Sequence, residues 1–133
     1  MITVKPVTDA RIFLPVLRRF KDNDGQMTVL LAEENGVNLG HAVISFHEKR
    51  LSILKLELYF FDKSQTLDEN TKWIADLLVR AAVSYAANRN VFVVYGINHD
   101  DFNVYRQLGH KIVGDIALID VIKILGKCDN CKK

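Results

Sequence analysis

The chain has 133 residues, 49% of them hydrophobic, which is enough for one compact domain with a core and too few for two ordinary ones. Charged residues make up 26% and aromatics 9%, a balance that excludes a disordered, collagen-like or coiled-coil chain. Eighteen Lys and Arg against 16 Asp and Glu leave a net charge of +2, too weak a field to predict a nucleic-acid partner.

Residues 2–7 alternate and are bounded by Pro6, as in a short first strand. Thr8 or Asp9 then offers an N-cap, and Ile12, Phe13, Val16, Leu17 and Phe20 recur at helical spacing, with Pro15 as a kink or a second start. Residues 27–33 read as a strand. Asn35-Gly36 is the strongest short hairpin signal, so the next strand runs back antiparallel. Residues 37–47 and 50–61 are two more apolar runs, separated by Glu48 and Lys49, which completes a three-strand meander. In the last run Ile53, Lys55, Glu57 and Tyr59 alternate with Leu54, Leu56, Leu58 and Phe60. His41 and His47 share a face of the middle strand but stand too far apart for a joint metal site.

A polar stretch at 62–70 follows, in which Asp68, Asn70 and Thr71 can each cap a helix. Trp73, Ile74, Leu77, Leu78, Ala81, Ala82 and Tyr85 form an apolar stripe that ends at residues 88–90. Residues 91–95 then read as a buried strand. Next comes a short helix, with Asp100 and Asp101 placed to cap its start and Gly109 where a C′ residue takes positive φ. Residues 116–125 are apolar without a decisive period, so a strand, a helix or a strand running into a helix are all open.

Lys55, Glu57, Arg80 and Asp120 break the longest apolar stretches below the roughly 20 residues of a membrane span. The amino end lacks a signal-peptide pattern. No membrane partner and a cytoplasmic location are the resulting expectations. Cys128 and Cys131 supply half of a tetrahedral zinc site, which His110 or a partner chain's thiols would have to complete. No metal is therefore expected, and residues 127–133 read as a tail with reduced thiols.

Asn98, Tyr105, Leu108 and Gly109, together with Gly40, the pair Leu77-Leu78 and the order of elements, resemble the GNAT-type N-acetyltransferase superfamily over nearly the whole chain. Small clostridial-type members that end in a cysteine-bearing tail are the most similar subgroup. The resemblance implies an α/β (α+β) fold, with a mixed, mostly antiparallel central sheet flanked by helices and built from residues 1–126 as one domain. It also implies acetyl-CoA as cofactor, two splayed middle strands that hold the pantetheine arm by backbone hydrogen bonds, and direct attack of an amine on the thioester. In this alignment Tyr105 is the acid for the leaving thiolate; Glu57, on the strand that faces the cleft, is the candidate base for the amine, directly or through water. Leu58, Phe60, Lys72 and Asn98 are the implied cofactor contacts.

The chain departs from the family at the turn before the long helix. Glu69, Lys72 and Ile74 stand where the family's pyrophosphate motif has arginine or glutamine and small residues, so the backbone cradle for the anion is absent. Lys63 and Lys72 would replace it with point charges. The leading expectation is thus an N-acetyltransferase-like protein with a degenerate cofactor site, whose acceptor is a small-molecule or peptide amine not readable here. The rival is a non-catalytic chain that keeps the scaffold for binding or for forming a homodimer.

Overall fold

The hairpin signal at Asn35-Gly36 organises the first half of the sheet. In the computed structural model, which describes residues 1–7, 18, 26–59, 61–62 and 65–126, these two residues take φ of +53° and +82°, as a two-residue hairpin turn requires. β2 (Gln26–Glu34), β3 (Val37–His47) and β4 (Arg50–Leu58) form the antiparallel meander, and β1 (Thr3–Pro6) pairs antiparallel with β2.

After β4 come α1 (Glu69–Ala87), β5 (Val94–Gly96), a 3₁₀ turn (His99–Asp101), α2 (Phe102–Gln107), β6 (Lys111–Val113), β7 (Ile116–Leu118) and α3 (Val121–Leu125). The strand order is β1-β2-β3-β4-β5-β7-β6, and among the described residues β4 and β5 form the one parallel pair. This is the mixed, mostly antiparallel sheet that was expected. Residues 116–125 are a strand running into a helix. Apart from Arg18, which is helical and exposed, the helix expected over 10–20 lies outside the described residues, as do Phe60, Lys63, Cys128 and Cys131.

Asp68 starts α1 by accepting the Thr71 N–H at 2.7 Å, which satisfies one of the donors a helix leaves open at its amino end. The buried face of α1 is Ile74, Ala75, Leu78, Val79, Ala82, Val83 and Ala86, packed with Leu30, Ala42, Ile44, Leu51, Ile53 and Leu56 of the sheet. Burying a leucine such as Leu78 contributes about 1.5–3 kcal/mol. This face is rotated from the expected stripe, and Trp73 is 56% exposed. Alanines and valines along the seam let the helix lie close to the sheet, whereas an indole there would hold it off.

β5 is also later than the expected 91–95. The Val91 N–H bonds the Ala86 carbonyl at 2.9 Å, so residue 91 finishes the turn after α1, and Phe92 and Val93 are exposed.

Candidate functional site

β4 and β5 run side by side for three residue pairs, Leu51 with Val94, Ser52 with Tyr95 and Ile53 with Gly96. The last shared hydrogen bond runs from Ile97 N–H to the Ile53 carbonyl at 3.2 Å, after which the strands part. The pairing of β3 with β4 slips one residue at Leu54, so the outward edge of β4 changes phase there. The Tyr59 N–H bonds the Leu39 carbonyl on β3, and strand alternation therefore turns the N–H groups of Leu56 and Leu58 towards the gap left by β5.

Asp101 closes this slot. Its carboxylate is fully buried and accepts the Leu56 N–H at 2.8 Å. The expectation that it caps the short helix does not hold: Asn98 caps the 3₁₀ turn, accepting the Asp100 N–H at 3.0 Å, while α2 has no side-chain cap from Asp101. Asn98 itself follows β5 where the strands diverge.

Tyr105 projects from α2 under β5. It is fully buried, and its hydroxyl has no hydrogen-bond partner among the described residues. Burial, with the Asp101 charge adding to it, holds the phenol well above its ordinary pKa, so it stays protonated at neutral pH. The ring lies against Gly96, where a methyl group would come within 2.5–2.6 Å of Tyr105 Cε2, Cζ and Oη. Gly96→Ala is therefore expected to cost about 1–3 kcal/mol in denaturant unfolding. Shortening the ring in a Tyr105→Leu background should remove most of that cost.

Glu57 lies on the sheet face away from α1, ion-paired with Lys55 at 3.4 Å. His41 is its cross-strand partner and is buried; its Nδ1 is hydrogen-bonded to the Tyr59 hydroxyl at 2.6 Å, with the two rings edge-to-face. Burial, helped by the Glu57 charge, raises the Tyr59 pKa. This His41–Tyr59 pair beside Glu57 was missed in the sequence. His41 comes from β3 and Tyr59 from the first residue past β4, and only the register after the Leu54 slip brings them together.

Lys72 lies on the first turns of α1, on the wall of a cleft. The loop before α1 is fastened to α2: the Leu67 N–H bonds Gln107 Oε1 at 2.8 Å, and Asn103 and Gln107 both donate to the Gln65 carbonyl. At the helix start the Asp68 carboxylate takes a donor that a phosphate would use. That bond to the Thr71 N–H lowers the Asp68 pKa. A lowered folded pKa gives stability that is present above the unfolded value of 3.8 and is lost as pH falls through the folded one. Asp68→Asn keeps a capping side chain without the charge. Melting curves from pH 6 to pH 2 should therefore fall less steeply below about pH 4 for the variant than for the parent.

Among the described residues no group of three or more His, Cys, Asp and Glu side chains is placed to hold a metal, and no helix is long and apolar enough to cross a membrane.

No protein-family model matches the chain, and no curated protein sequence does. Solved structures do match. A GNAT family acetyltransferase from Brucella melitensis in complex with acetyl-CoA is 13% identical with a TM-score of 0.59, covering 90% of this chain and 87% of that one. The ribosomal-protein-S18-alanine N-acetyltransferase from Escherichia coli is 11% identical with a TM-score of 0.57, covering 89% and 90%. A chain of the KacTA–DNA complex is 14% identical with a TM-score of 0.61, covering 98% and 99%. The likeness at these identities is one of fold. Because that fold also occurs in a complex with DNA, the expectation that excluded a nucleic-acid partner on weak net charge is not supported.

Proposed function

We propose that this chain, whose fold is that of the GNAT-type N-acetyltransferases, binds acetyl-CoA in the slot between β4 and β5 and transfers its acetyl group to an amine. The observation that carries the reading is the slot itself, where β4 turns the N–H groups of Leu56 and Leu58 into a gap that β5 leaves after Gly96. The orphaned Tyr105 hydroxyl supports the fit. A fully buried oxygen without a partner costs about 1–3 kcal/mol, and such groups are kept where a ligand or a reaction uses them.

Acetyl-CoA supplies the acetyl group as a thioester. Leu56 and Leu58 offer backbone donors to the bound arm once the Asp101 side chain has moved aside, Asn98 borders the opening, and Lys72 offers the phosphates a point charge. Phe60 follows the same strand, outside the described residues. Glu57 takes the proton of the attacking amine, while Tyr59, anchored by His41, walls the same face. Tyr105, protonated at neutral pH, gives its proton to the departing thiolate.

Calorimetric titration with acetyl-CoA tests the reading. Saturable heat with a rise in melting temperature is the expected result. No heat and no thermal shift at millimolar cofactor would leave the second reading, a scaffold that binds without catalysis. The observation on its side is that the protein's own carboxylates, Asp101 and Asp68, occupy the donors that a cofactor needs.

A further inference from the structure

Six of the nine large apolar side chains exposed among the described residues fall between residues 92 and 122, and the fold gathers them on one surface. Gly96 and Ala117 belong to the side of the sheet that packs on the helices, Gly96 against Tyr105 and Ala117 in the core. Strand alternation therefore turns Val93, Ile97, Leu118 and Val113 to the opposite face, where they are 38–50% exposed. At the end of the sheet where β5 and β6 begin and β7 stops, Val93 and Leu118 run into a groove of about 430 Å³. Phe92 lines the same groove, and so does Ile122 of α3, which is 84% exposed. Lys111 and Asp120 also stand on it, both exposed and opposite in charge, and among the described residues no ion pair joins either to another side chain.

We propose that two copies of the chain pack through this surface about a two-fold axis, with Ile122 of each copy seated in the groove of the other. A patch that meets itself has to carry its own complement. This one sets a projecting isoleucine beside a groove and a cation beside an anion, so Lys111 of one copy answers the partner's Asp120, and the axis repeats the pair. The area is also of the right size. The six apolar residues expose on the order of 600 Å², the most that a monomeric chain usually shows in one patch. With the charged rim the surface reaches roughly the 800 Å² that each partner puts into a standard interface. The groove lies before the start of β5, whereas the slot opens past its end at Gly96, and the proposal does not rest on the acetyl-transfer reading.

Sedimentation velocity on the full chain, without cofactor and from micromolar to near-millimolar protein, tests the surface. The expected result is the mass of two chains, falling to that of one on dilution. Ile122→Lys, at an exposed helix position, should give the mass of one chain throughout, with the circular dichroism of the parent and the melting temperature that the parent has when diluted to single chains. Lys111→Glu turns both rim pairs from attraction to repulsion and should weaken association about five- to tenfold. Val37→Lys is the control: that valine is as exposed as Val93 but lies on β3, on the far side of β4, and its replacement should leave the dimer intact. A single-chain mass at every concentration overturns the proposal and leaves the surface to a different protein. It is equally overturned by a dimer that survives Ile122→Lys, by a Val37→Lys variant that dissociates as Ile122→Lys does, or by assemblies larger than two, which a closed two-fold contact does not form.

Discussion

Tyr105→Phe is expected to lower kcat for acetyl transfer by about 10²–10⁴-fold, the usual contribution of a positioned acid, while the protein melts at the same temperature or higher. The two halves of this result have different causes. Phenylalanine keeps the ring that packs against Gly96 and deletes only an oxygen that has no hydrogen-bond partner among the described residues. Removing a buried, unpartnered hydroxyl relieves a desolvation cost of about 1–3 kcal/mol, so stability has no reason to fall. Activity falls because the leaving thiolate then lacks its proton donor, and the loss should sit in kcat with the KM for acetyl-CoA nearly unchanged. Steady-state kinetics with thermal melts on the same preparation check both. A variant that melts higher and keeps the parent kcat would make Tyr105 a packing residue and end its role as acid.

What could be read from the chain was what neighbouring residues determine among themselves. Asn35-Gly36 turns a hairpin, Asp68 caps α1, and Gly109 takes φ of +90° after the short helix, each through chemistry confined to a few positions. The facing of α1 was not readable in this way. Positions 73, 77 and 81 and positions 75, 79 and 83 are both apolar, so hydrophobicity alone does not choose between two adjacent faces, and packing distance to the sheet does. Asp101 was legible only as a local cap, because its true partner, the Leu56 N–H, lies 45 residues away and is reached only once β4 and β5 have parted. The site is non-local for the same reason: its donors come from β4, its hydroxyl from α2 and its outer wall from β3.

Asp101→Ala should move stability and affinity in opposite directions. Without the carboxylate the Leu56 N–H loses a buried, charge-assisted bond of 2.8 Å, and unfolding free energy should drop by about 1–3 kcal/mol. The same bond is what an incoming acetyl-CoA must break to reach that donor, so its removal relieves the competition by a comparable amount and should tighten binding about tenfold or more. The larger stabilisation by ligand then partly restores the melting temperature at saturating cofactor, giving a thermal shift wider than the parent's. Asp101→Asn separates charge from occupancy: its amide oxygen can still accept from Leu56, so stability should fall less and affinity should rise less than in the alanine variant. Calorimetry on the three proteins decides the matter. If alanine costs stability but acetyl-CoA binds all three equally, the cofactor does not use the Leu56 donor, and the slot between β4 and β5 is not where it is held.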